Sequence, residues 1–351
     1  MGRFLMTMNT NEISGKRQME FLAGFDYIRE AGTAGEEKAA ALLLETLSSL
    51  GVESRLEEFG FDTFQIKKAK LTITKPYKKE YTVTGYGRCG NTAEDGLQAP
   101  FVYAENGDEI SLAHVSGKIV MVNDPIRKDM YQKLVKAGAV GFISIAGSPL
   151  DEGEDLVPRA YGLPKNLPGE EKKEAGKEAQ NYHNRIPGVS IHYKDAIELV
   201  TNGASQACLS VEQKTVTRTS RNVVARIEGT DRAEEILTLT AHYDSVPEGP
   251  GAYDNMSGGA IIMELCRYFQ VHRPRRTMEF VWFGAEEKGL LGSQSYIKVH
   301  ETELPAHRFN MNVDLAGQLV GGTVVGVTGD ASVCNMITYL SLIHISEPTR
   351  H

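Results

Sequence analysis

The sequence predicts an α/β protein in which a mostly parallel central sheet, flanked by helices, is interrupted by a β-rich module. Three observations carry that expectation. Residues 236–240, 278–283 and 309–313 are apolar-rich runs of strand length, the pattern of strands covered on both faces. Helical spacing separates them: within 257–270, Ile261, Ile262, Leu265 and Phe269 fall on one face. Between about Gly85 and Ser210 a different strand–helix–strand succession breaks in and reads as a separate module.

Each element has its local reason. Residues 12–51 are expected to be helical, because Thr33-x-x-Glu36 has the form of a capping box and 39–50 is rich in helix formers before Gly51 stops it. Residues 52–59, 70–74 and 81–84 have strand character. The lysines at 67, 68, 70, 75, 78 and 79 are expected on a solvated strand edge, where charge deters pairing with other chains. Gly85-x-Gly87-x-x-Gly90 has the spacing of a dinucleotide-binding turn, but 91–100 contains Gly96 and ends in Pro100. No helix terminus faces a phosphate there, so a plain turn is expected. Residues 115–122 read as a strand, 128–137 as an amphipathic helix and 140–145 as a second buried strand. Residues 151–185 read as loop, interrupted by Pro158, Pro164 and Pro168, and 186–191 resumes a strand. Residues 222–227 read as a strand, 288–300 as a helix, 323–327 as a further strand and 330–339 as the start of another helix.

Whole-chain properties narrow the function. A length of 351 residues suggests about two domains. A formal charge of −8 argues against nucleic acid or an anionic membrane as the main partner. Cys89, Cys208, Cys266 and Cys334 are scattered with no C-x-x-C pair, so neither a cysteine zinc site nor a disulfide framework is expected. The N-terminal apolar run is too short for a signal peptide and no stretch is long enough to span a bilayer, which makes a cytoplasmic protein the expectation. Oligomeric state leaves no mark in the sequence.

The chemistry gathers where the three apolar runs end. The first runs into His242-Tyr243-Asp244 and then Asp254-Asn255, the second into Glu286-Glu287, the third into Asp314. In a parallel α/β sheet the carboxyl edge of the strands is where ligands bind. His242 and Asp244 project to one side of an extended strand, so Asp244 can accept the second imidazole N–H and fix the tautomer. Asp254 stands in a glycine-rich loop where it can be placed between two ions. Of the adjacent Glu286 and Glu287, one can ligate while the other carries protons. Carboxylates gathered without lysine or arginine are costly unless a cation sits among them. Imidazole with carboxylates suits zinc best, with manganese or cobalt as substitutes. The expectation is a two-metal hydrolase site. There is no G-x-S-x-G elbow and no H-E-x-x-H helix, since Leu304 stands where the second histidine would fall after His300-Glu301.

The segments NVVARIEG, LTAHYDSVPEGPGAYDNMSGGA, FVWFGAEEKGLLGSQSYI and MNVDLAG resemble the co-catalytic zinc aminopeptidases related to bacterial leucyl aminopeptidase, aminopeptidase Y and the transferrin receptor. SGKIV, AGAVGFI and IPGVSI resemble the protease-associated domain. The resemblance implies a zinc exopeptidase fold in residues 1–84 and 213–340, with a protease-associated insertion at 85–212. It implies two zinc ions: His242 and Asp314 on one, Asp254 bridging both, Glu287 on the second. Glu286 becomes the general base, Asp244 orients His242, and the Asp254–Asn255 peptide is cis. The implied activity is hydrolysis of the N-terminal peptide bond of peptides with a free N-terminus, through a metal-bridged water. One departure stands at the C-terminus. The family's second zinc takes a further histidine, for which His344 and His351 lack the context, so 341–351 is expected to be a non-native tail and the chain as written to bind metal poorly. Alternatives within the fold are a carboxypeptidase, a deacylase or a glutaminyl cyclase. Outside catalysis stands a transferrin-receptor-like binding protein, which would be expected to lack the ligands or the base.

Overall fold

The elements run in chain order as α1 (Gly15–Ala23), α2 (Ala34–Ser49), β1 (Glu53–Lys75), β2 (Lys79–Tyr81), β3 (Val83–Gly85), β4 (Leu97–Tyr103), β5 (Ile119–Val122), α3 (Lys128–Lys136), β6 (Gly141–Ala146), β7 (Gly188–His192), α4 (Tyr193–Thr201) and β8 (Gln206–Ile227). They continue with β9 (Arg232–His242), α5 (Ser257–Val271), β10 (Arg276–Phe283), α6 (Leu291–Val299), β11 (His307–Asn312) and α7 (Ala331–Ile345). This computed structural model describes residues 12–123, 125–151, 158, 161–164, 167, 182, 184–317, 324–329 and 331–345, the side chains of 337 and 340–345 excepted. Among the described residues no helix is long and apolar enough to cross a membrane.

The chain forms two compact units, residues 1–57 with 221–351, and residues 58–220. In the first, β9 lies between β10 and β11 and pairs with both in parallel, while β10 pairs antiparallel with the end of β8. Phe25, Leu43 and Leu47 pack with Val223, Leu239, Met256, Ile262, Phe280 and Trp282 in one apolar core. Trp282 is fully buried and donates its indole N–H to the carbonyl of Gly259 at 3.1 Å, tying β10 to α5. In the second unit the order is β8, β4, β5, β6, β7, β3, with β4 to β7 mutually parallel. Every residue of β5, β6 and β7 is buried, as continuous apolar runs require.

Several expectations are corrected. Residues 12–51 are two helices, parted by a turn at 24–33. Thr33 precedes α2 without capping it: its hydroxyl donates back to Glu30 O, while Glu36 accepts from Gly32 N at 2.7 Å. The two strands expected at 52–59 and 70–74 are one, β1, because nothing between them breaks an extended chain. Residues 324–327 carry no strand, and residues 323 and 330 lie outside the described residues, as do most of the loop at 151–185, the N-terminal 11 residues and 346–351 of the expected tail. β4, α4 and the first half of β8 went unread. The glycines of 85–90 form a close-packed turn with no helix behind it. A Cβ at Gly87 would lie 2.1 Å from the Phe64 ring, and one at Gly90 1.7 Å from Arg185 O.

Candidate metal centre

Register brings the site together. In the parallel ladders Phe283 lies opposite His242 and Asn312 opposite Thr240, so three strand ends finish level. The pairing runs on past the strands: Tyr243 N donates to Phe283 O at 3.0 Å and Val313 N to Thr240 O at 2.8 Å. His242, Asp244, Glu286, Glu287 and Asp314 are thereby delivered to one edge, and the loop after β9 returns Asp254 to them.

His242 is 3% exposed. Its Nε2 lies 3.0 Å from Asp254 Oδ1, 3.7 Å from Asp314 Oδ1 and 3.8 Å from Glu286 Oε2. Two overlapping groups hold ligand atoms all within 4.8 Å of one another: His242 with Asp254 and Asp314, and His242 with Glu286 and Glu287. The first group has the three residues that the resemblance assigns to one ion. Glu287 meets His242 and Glu286 in the second.

Asp244 is fully buried. Its Oδ1 lies 3.5 Å from His242 Nδ1, and its own carbonyl is nearer, at 3.3 Å. The carboxylate does a second thing that H-x-D spacing could not reveal. It accepts from the backbone N–H of Glu286 at 3.0 Å and of Glu287 at 3.2 Å, fixing the turn that carries both acids.

Asn255, to which the sequence gives no role beyond its peptide bond with Asp254, is fully buried. Its Nδ2 donates to Val313 O at 2.8 Å and its Oδ1 accepts from Gly258 N at 3.1 Å. It therefore ties the Asp254 loop to the strand end bearing Asp314. The Asp254–Asn255 peptide is cis.

The acids of the cluster raise one another's proton affinity. Burial first, and then Asp254, Asp244 and Glu286, push Glu287 up to about 7. Glu286 and Asp314 are also raised, mainly by burial and by neighbouring carboxylates, with His242 opposing. Burial disfavours the charge on His242, but Asp244, Glu286 and Asp314 outweigh it and take the imidazole to about 9. Among the described residues no lysine or arginine pairs with Asp254, Glu286, Glu287 or Asp314, and Lys288 turns instead to Glu30 at 2.8 Å. Like charges held this closely disfavour one another's ionisation unless something positive is shared. One imidazole nitrogen among carboxylate oxygens is a donor set that fits zinc.

The arrangement is a parallel α/β sheet with an imidazole and carboxylate cluster, fit to hold a metal, at the carboxyl edge of its strands. Residues 222–348 match Peptidase family M28. Aminopeptidase YwaD of Bacillus subtilis is 30% identical over 303 residues, 82% of this chain and 58% of that protein. Carboxypeptidase Q of Mus musculus is 26% identical over 299 residues, 82% of this chain and 61% of that protein. The structure of BSAP, a zinc aminopeptidase from Bacillus subtilis, is similar with a TM-score of 0.69 at 27% identity, over 87% of this chain and 70% of that one. Over residues 222–348 the chain is thus similar to peptidase family M28, and its fold is similar to that of a zinc aminopeptidase. It spans little more than half the length of these two curated relatives.

Proposed function

We propose that the chain carries the centre of a zinc-dependent aminopeptidase that removes N-terminal residues from peptides with a free N-terminus, with two zinc ions. The observation that supports it is the carboxylate cluster around His242 Nε2, to which no lysine or arginine is paired among the described residues. His242 and Asp314 would hold one ion, Asp254 both, and Glu287 the second. Bound there, zinc would act as a Lewis acid on the scissile carbonyl and acidify a water.

The chain's own residues supply the rest. Glu286 is half-buried and its proton affinity is raised, chiefly by burial, which suits a carboxylate that takes a proton from water and passes it to the departing amine. Asp244 holds the backbone of that turn, so the base keeps its place while it changes charge. The remaining acids would receive the substrate's free ammonium group, which confines cleavage to the first residue.

The Glu286→Gln variant tests the roles. Zinc content should stay at the wild-type level, while kcat falls by about 10²–10⁴-fold, the usual contribution of a positioned general base. Near-normal turnover removes Glu286 from the role. The likeness to both YwaD and carboxypeptidase Q supports one second reading, a carboxypeptidase. Aminoacyl p-nitroanilides assayed against N-blocked peptides, with and without chelator, separate the two. Cleavage of only the blocked peptides would overturn the aminopeptidase reading.

A further inference from the structure

We infer that Arg29 is a positioning residue for this centre: its buried guanidinium sets the loop that carries Asp254, resting on the metal reading above. Arg29 lies in the turn between α1 and α2 and is 0% exposed. Nε donates to Tyr243 O at 2.7 Å. Nη1 donates to Phe25 O at 2.8 Å, to Tyr27 O at 3.1 Å and to Pro250 O, and Nη2 to Gly251 O at 3.2 Å. A buried guanidinium is tolerated only where its rigid fork of N–H donors finds acceptors, and here all of these are main-chain carbonyls. The backbone adds two bonds, Arg29 N to Ser245 Oγ at 2.9 Å and Ser245 N to Arg29 O at 3.2 Å.

Phe25 O and Tyr27 O belong to Arg29's own turn, and the other three acceptors fall at the two ends of one loop. Tyr243 stands between His242 and Asp244. Gly251, with φ +54°, opens the turn that leads to Asp254, and its carbonyl also accepts from Met256 N at 3.1 Å. Arg29 thus fixes where the loop leaves the strand end and where it comes back. The next residue, Glu30, pairs with Lys288, immediately after Glu287. Two consecutive residues from a distant part of the chain therefore hold both turns that bear the acids. A glutamine at 29 keeps some polarity but lacks the reach of the fork, freeing the Pro250 and Gly251 carbonyls and with them the placing of Asp254.

The experiment measures zinc affinity by competition with a chromophoric chelator, alongside thermal unfolding, for the wild-type chain, Arg29→Gln, Arg29→Lys and Leu47→Ala. Leu47 is a buried core residue of α2, so Leu47→Ala controls for lost stability alone. Folded Arg29→Gln should bind zinc about 10–100-fold more weakly, as when a residue supporting metal ligands is lost. Arg29→Lys should fall between, and Leu47→Ala should melt earlier while binding zinc like the wild type. Should Arg29→Gln not fold, Arg29→Lys carries the same comparison. A folded Arg29 variant of wild-type zinc affinity, or a Leu47→Ala loss as large as that of Arg29→Gln, overturns the inference while leaving the metal reading intact. A wild-type chain that takes up no zinc overturns both.

Discussion

Asp244 shows how much one buried carboxylate can be asked to hold. Both of its oxygens accept backbone N–H groups from the Glu286–Glu287 turn, and the same group stands beside the His242 ring. Asparagine has nearly the same shape, but one oxygen becomes an amino group that faces an N–H donor and cannot accept from it. Asp244→Asn should therefore lower stability by about 1–3 kcal/mol, the usual cost of a buried polar group left unsatisfied. It should also weaken zinc binding by about 10–100-fold. Denaturant unfolding and chelator competition measure the two separately, and a variant equal to wild type in both would refute the dual role. The identity of this residue was legible in the sequence because H-x-D at a strand end puts both groups on one side. Its second role was not, since the donors arrive from a turn 42 and 43 positions later. The same holds for Arg29 and Asn255, whose side chains bond to main-chain groups, and a main-chain partner leaves no trace in a sequence.

At the scale of elements, the packing of α5 decides where Asp314 sits. Gly258 is in its first turn, and a Cβ there would lie 2.3 Å from Val313 O and 2.6 Å from Asn255 Oδ1. Gly259, one residue on, would meet the flexible end of Met256, at 2.7 Å from Cε. Backbone cannot give way as a thioether can, so the two alanine variants should differ. Gly258→Ala should cost about 1–3 kcal/mol, as overpacking does, and weaken zinc binding by displacing Val313 and Asp314. Gly259→Ala should cost less and leave zinc binding unchanged. Equal effects in melts and zinc titrations would sink this account. The strands and helices around the centre were readable because each buries a periodic or continuous apolar face: β9, β10, α5 and α6 stand close to where the pattern put them. β1 and β8 were harder. β1 is buried only at Phe61, Thr63, Leu71 and Ile73, and the first part of β8 alternates buried with partly exposed positions, so the apolar signal of each is diluted by charged residues on the open face. Residues 324–327 show the opposite failure, since Val324 and Val325 are strand formers that stand exposed.

For the molecule as a whole, protons and zinc compete for the same acids, and the sign of that competition can be worked out. Glu286, Glu287 and Asp314 bind protons more tightly in the folded chain than their ordinary values allow, Glu287 with a value of about 7. The stability those protons confer is complete below the ordinary carboxylate range and is lost as pH rises through the raised values. His242, taken from 6.5 to about 9, adds the same sign over a higher window. Glu264, held down to about 2 by Arg17, Arg267 and Ser14 N against the effect of its burial, titrates below this range and leaves it undisturbed. The metal-free chain should therefore lose stability between about pH 5.5 and about pH 8. Zinc replaces the protons, so its stabilising effect should grow over the same interval, reaching about 2.7 kcal/mol once free zinc is about 100-fold above its dissociation constant. Thermal unfolding with zinc and with chelator at the two pH values measures it. A zinc-induced shift that is equal at both, or a metal-free chain that gains stability with rising pH, would show that the acids do not depend on a shared cation.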